Sequence, residues 1–174
     1  LDARSPPHGA RMAEITRFSF LYDPAEDRIA LDAEDADGAA TRLWLTQRLC
    51  RGLVGALVPM LTPPASALED PGRQSWEQAA AVEAMGATPP VRPGPDATVG
   101  LVHEVTIAPG GDRLALTLRF AGGRSRALSI ATVALRQTLA ELHRLHVIAA
   151  WPQDLWPAWI ADPAGGAAAV GAVN

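Results

Sequence analysis

Apolar and polar residues alternate over Ile15–Tyr22, with Phe18, Phe20 and Tyr22 on one side, which predicts a half-buried strand. The turn "DPAED" follows, and Arg28–Ala33 resumes the alternation with Ile29 and Leu31 on one face. A polar, Gly-containing turn, "EDADGAA", leads into a third strand over Thr41–Leu45, in which Leu43 and Leu45 point together. At Thr46 the period changes from two to about 3.6. Leu49, Leu53, Leu57 and Met60 recur at helical spacing, Thr46 stands where an N-cap belongs, and Pro59, Pro63 and Pro64 stop the helix.

The same succession of periods returns later in the chain. Gly100–Ala108 reads as a strand, "PGGD" as a tight turn, and Arg113–Phe120 as a strand with Leu114, Leu116, Leu118 and Phe120 on one face. "AGGR" is a hairpin signal, Arg126–Ile130 is the third strand, and a helix runs over Thr132–Val147 on Leu135, Leu139, Leu142 and then Leu145 or His146. At an offset of 85, ten positions of Ile15–Leu61 are identical to their counterparts, among them Asp27/Asp112, Arg28/Arg113, Leu31/Leu116, Leu43/Leu128 and Leu57/Leu142. They fall at equivalent turns, strand faces and helix faces, as a repeated supersecondary unit requires. The alignment also puts His103 in the core-facing place of Phe18. The expected fold is therefore α+β: internally duplicated β-β-β-α units forming one pseudo-symmetric domain, with antiparallel sheet or sheets and two main helices. Each unit has a single apolar sheet face that it cannot bury alone.

Residues 1–11 are a Pro-containing extension, expected to be disordered, ahead of a natural start at "MAEITRFSF"; they lack the apolar core of a secretory signal. The first unit spans 12–62. A Pro-rich linker spans 63–99 and holds a short helix over Ser75–Met85. The second unit, with a Trp-rich segment after it, spans 100–162, and 163–174 is an Ala/Gly tail, expected to be disordered.

Composition narrows the function classes. The net charge of −4 argues against a generic nucleic-acid binder. All 15 basic side chains are Arg, which with the Ala, Gly and Pro content reflects the coding bias of a GC-rich bacterial genome. The single cysteine, Cys50, forms no intrachain disulfide and falls in an apolar helical pattern. No apolar run has the length of a membrane span, and the expected compartment is the cytoplasm.

Candidate chemistry is sparse. The acidic run Asp32, Glu34, Asp35, Asp37 fails the calcium-loop pattern and reads as a solvated hairpin tip. His143 and His146 lie three apart on the last helix but lack a third ligand, so no metal or other cofactor is assigned. No convergent acid, base and nucleophile is present, and the chain is read as not an enzyme. Trp151, Trp156 and Trp159, interleaved with Pro152 and Pro157, form the candidate partner-binding surface, with Trp44 as a neighbour. Arg119, Arg124 and Arg126 form the candidate anion-binding group. The expected function is a non-catalytic cytoplasmic adaptor or accessory subunit that binds another protein. The alternative, less favoured, is a single-stranded nucleic-acid-binding module using a curved antiparallel sheet.

Overall fold

A computed structural model describes residues 13–62 and 71–163. The extension expected at 1–11 and all of the expected tail but Pro163 lie outside the described residues. Strands β1 (Ala13–Asp23), β2 (Arg28–Asp35) and β3 (Ala40–Leu45) lead into helix α1 (Gln47–Leu61) and then α2 (Pro71–Glu83). Strands β4 (Thr98–Gly110), β5 (Arg113–Phe120) and β6 (Arg124–Ala131) lead into α3 (Thr132–Ile148) and a short α4 (Ala158–Ala161). Helix α1 starts where Thr46 Oγ1 accepts the Leu49 N–H at 3.2 Å, and it continues past Pro59 to Leu61. Proline in this last turn removes only the bond to the solvent-exposed Gly55, so it does not end the helix where the sequence suggests.

The six strands close into one barrel in chain order. Pairing is antiparallel within each half, as the alternation implies, but the two junctions, β3–β4 and β6–β1, are parallel. The sheet is therefore mixed, not purely antiparallel. Parallel neighbours need a long crossover, and α1, the linker and α2 supply it between β3 and β4. Both junctions are short. Thr41–Trp44 pair with Thr98–Leu101 at one, and Ala13–Ile15 pair with Arg126–Leu128 at the other.

Registers repeat between the halves with one exception. Ile29 faces Leu45 and Leu114 faces Ile130; Ala13 faces Arg126 and Thr98 faces Thr41, all at the offset of 85. In the first hairpins Phe18 faces Ala33, whereas Val105 faces Leu118, which shifts the leading strand by two residues. The turns explain the shift: Asp23 and Arg28 enclose four residues, while Gly110 and Arg113 enclose two, with Gly111 at φ 66°. Because of it, Val105 takes the place of Phe18, and His103 falls at the bulge between Val102 and Glu104, where it is exposed. The core-facing expectation for His103 is corrected accordingly.

One apolar cluster joins both halves of the sheet to α1, α3 and the segment after α3. Leu31 and Leu116, Leu43 and Leu128, and Leu57 and Leu142 are all buried in it, each contributing about 1.5–3 kcal/mol. Bulk is exchanged across the barrel at one pair of counterpart positions. Ile15 is large and its neighbour Asp35 polar, whereas Phe120 is large and wholly buried, and a Cβ at Gly100 would run into its ring.

Candidate functional site

The Trp-rich segment doubles back along α3. The Trp151 ring lies edge-on to His146 at 5.0 Å and to Tyr22 at 5.9 Å, and its Nε1–H donates to Asp27 Oδ1 at 2.8 Å. Trp156 packs against His143 and His146, each at 5.1 Å, and Trp159 carries the Arg136 guanidinium over its ring at 5.5 Å. Trp151 and Trp156 are 5% and 8% exposed, so they are part of the core and not free anchors. A sheet and helix surface with an open acceptor, Asp27, draws the indole N–H in. The Trp151 and Tyr22 hydrogen bonds hold the Asp27 carboxyl below its usual range. Burial lowers the His146 pKa, and its Nδ1 lies 2.8 Å from the Leu142 carbonyl, the geometry of a neutral ring donating there.

Arg136 is a buried cation. Glu77 pairs with it, Gln74 Oε1 accepts from Nη2 at 2.9 Å, and desolvation lowers its pKa despite Glu77. Its counterpart at the offset of 85, Arg51, makes an exposed pair with Asp154 at 2.7 Å. Each therefore ties its own helix to the segment that follows the other half's helix. Sequence alignment shows both arginines as identities but gives no sign of their partners.

The three candidate anion-binding arginines do not converge. Arg124 and Arg126 both lie over the Phe120 ring, at 5.0 and 6.0 Å, and Arg126 Nε donates to Thr41 Oγ1 at 3.2 Å. Arg119 alternates to the opposite face of the strand and sits 4.0 Å from Glu104. Among the described residues no group of three or more His, Cys, Asp or Glu could hold a metal, and no helix is long and apolar enough to cross a membrane. Burial pushes the Cys50 thiol up to about 12, which removes it as a nucleophile.

Trp44 lies elsewhere, on the outside of the first half. The register aligns Leu21, Ala30, Trp44 and Leu101 in one row across four strands. Leu21 is 52% and Leu101 41% exposed, and Val99, the next outward residue on β4, is 52% exposed. Arg42 backs the row: it forms a two-point pair with Asp32 at 2.7 Å and lies 5.5 Å over the Trp44 ring. The corresponding row of the second half is Ala108, Ala115 and Ser129, small and without an aromatic.

Leu101 also opens onto a groove. Beyond it β4 has no strand neighbour on the β3 side, and α1, which begins where β3 ends, lies there instead. The groove has a volume of about 440 Å³, with Leu49, Leu53 and Ala56 on the helix wall and Leu101, Val105 and Ile107 on the strand wall. Arg48, His103 and Glu104 complete it. A counterpart of about 610 Å³ lies between β1 and α3, lined by Phe18, Phe20, Ala134, Gln137, Thr138 and Glu141. That second groove has a third wall, the chain's own segment from Ala84 to Pro90. Arg17 Nη2 donates to the Pro89 carbonyl at 3.2 Å, and the Val91 N–H donates to Ser19 Oγ at 3.0 Å.

Sequence reading singles out Trp44 but not its neighbours Val99 and Leu101. Their signal is present: Val99, Leu101, Val102, Val105 and Ile107 put apolar residues on both faces of one strand. Nor does the sequence single out Trp76 on α2, which at 67% exposure is the most exposed tryptophan. Comparisons with protein-family models, with curated proteins and with solved structures find no match to this chain.

Proposed function

We propose that this chain is a non-catalytic adaptor or accessory subunit of the cytoplasm that binds another protein, built by internal duplication of one β-β-β-α unit. The observation that carries the binding reading is the continuity of two apolar surfaces at Leu101: the Trp44 row on the barrel wall and the α1/β4 groove beside it. Exposed apolar surface organised around an aromatic and rimmed by charged groups is what a polypeptide partner buries. The duplication reading is supported by the registers at an offset of 85 and by the paired roles of Arg51 and Arg136. The nucleic-acid alternative ranks lower. A stacking platform needs exposed rings beside uncommitted arginines; Phe120, between Arg124 and Arg126, is wholly buried, and Arg42 over the Trp44 ring is paired with Asp32.

A photo-crosslinking residue placed at Leu101 tests this in the host. The expected result is a discrete covalent adduct with one polypeptide, weakened by Trp44→Ser. Adducts with nucleic acid, or none with protein, would overturn the reading.

A further inference from the structure

Helix α2 docks by its polar side. The residues it buries are Gln74, Ser75, Gln78 and Ala81, while Trp76 and Val82 are exposed. No described side chain of α2 belongs to the apolar cluster, whereas α1 gives it Leu53, Val54 and Leu57, and α3 gives it Leu135, Leu139 and Leu142. An amphipathic helix on a barrel ordinarily does the reverse and buries its apolar stripe.

Polar contacts join α2 to its neighbours. Gln74 Nε2 donates to the Leu61 carbonyl at 2.9 Å, Gln78 Nε2 to the Arg136 carbonyl at 3.0 Å, and Gln137 Nε2 to the Ala81 carbonyl at 2.9 Å. Arg136 Nη2 donates to both Gln74 Oε1 and Glu77 Oε2. Water can replace each of these bonds once the helix leaves, so their net contribution to docking is small. Gln78 Oε1 and Arg136 Nη1 are buried without a hydrogen-bond partner among the described residues, and opening removes the cost of holding them there. The chain after α2 allows such a motion. From Ala84 to Ala97 it forms neither helix nor strand, and its first side-chain bond to the barrel in that stretch is at Pro89, from Arg17. We infer that α2 is a hinged flap, which leaves α3 as a unit while the six-stranded barrel stays folded, and so bares the Arg136 guanidinium.

Native-state hydrogen exchange on the full chain tests this. The amides of Ser75–Glu83 should exchange at least about tenfold faster than the slowest amides of β2 and β5, after correction for intrinsic rates, and with a shallower dependence on urea. Two kinds of variant separate a local opening from loss of the whole fold. Ile130→Val trims the barrel core, which is intact in both the closed and the opened form. It should speed the strand amides about several-fold and leave those of α2 unchanged. Glu77→Ala removes a contact made only in the closed form and should speed exchange in α2 about tenfold or more. Glu77→Gln, whose amide oxygen can still accept from Arg136, should speed it less. If Ile130→Val speeds α2 and the strands alike, or α2 shares the urea slope of the strands, the helix opens only with the barrel and the inference is overturned. Exchange in α2 that ignores Glu77→Ala would overturn it as well, since the clasp would then not hold the flap.

Discussion

The β1/α3 groove and the β4/α1 groove are made by the same run of elements, yet the chain's own segment Ala84–Pro90 borders the first, and among the described residues no such segment borders the second. What the two halves share is inside: Leu31 and Leu116, Leu43 and Leu128, Leu57 and Leu142 are buried at counterpart positions. Apart from the exchange of bulk between Ile15 and Phe120, much of what they do not share faces outward. Gly52 answers Gln137, Ala56 answers Glu141, and the Leu21–Trp44–Leu101 row answers Ala108–Ala115–Ser129. Packing constrains the inner positions equally in both halves, because losing a methylene there is felt directly. The outer positions carry no such constraint, so the differences between the two halves mark where the proposed binding is to be sought.

The largest effect should separate tryptophans that belong to the core from the one on the outer wall. Trp156→Ala is expected to lower unfolding free energy by roughly 3–5 kcal/mol, as a buried aromatic truncation does. Trp44→Ala, on the half-buried outer row, should change it by about 1 kcal/mol or less. Denaturant titration reads both. Equal losses would erase the distinction between wall and core on which the comparison depends.

Next in size is the contrast between counterpart arginines. Glu77→Ala takes the carboxylate from the Arg136 cation, leaving Gln74 and the Trp159 ring in contact with it and the Arg73 charge acting on it. The expected loss is about 2–3 kcal/mol, below the range for a fully buried pair because Glu77 itself is a third exposed. Asp154→Ala releases the solvent-exposed Arg51, and the denaturation midpoint should stay at its wild-type value. A large fall in the second variant would mean that both helices are tied down in the same way.

A smaller effect concerns pH. Burial holds the His146 and His143 pKa values below the ordinary histidine value. The unfolded chain then binds more protons than the folded one below about pH 6.5. Stability present above that pH should decline as the pH falls toward 5. His146→Phe, which keeps a ring between Trp151 and Trp156, should flatten the slope of melting temperature between pH 7 and pH 5, leaving the part due to His143. An unchanged slope would show that His146 is not the buried neutral ring described.

Much of this architecture is legible in the sequence, because alternation and helical spacing follow burial on one face. Every strand and both long helices fall near their expected places, and Leu53, Leu57, Leu139 and Leu142 are core. The parallel junctions were not legible, since pairing between halves depends on where the crossover carries the chain. The two-residue slip of β4 was hidden by an alignment without gaps, and it moved His103 from the inside to the surface. The tryptophans illustrate a different limit. Their clustering signals apolar weight, but only the geometry shows that Asp27 and two histidines receive Trp151 and Trp156, while Trp44 finds Leu101 across the junction.

The most direct measurement compares the openness of the two grooves by thiol labelling. Cys50 is fully buried, and its thiol pKa of about 12 keeps it inert, so the wild type gives no background. A cysteine introduced at Ala56, on the open wall, should react with a maleimide at nearly the rate of a free thiol. One introduced at the counterpart, Glu141, should react several-fold more slowly behind the Ala84–Pro90 strap, and should speed up when Arg17→Ala and Ser19→Ala remove the side chains that hold the strap. Equal rates at the two positions, unaffected by releasing the strap, would contradict the account.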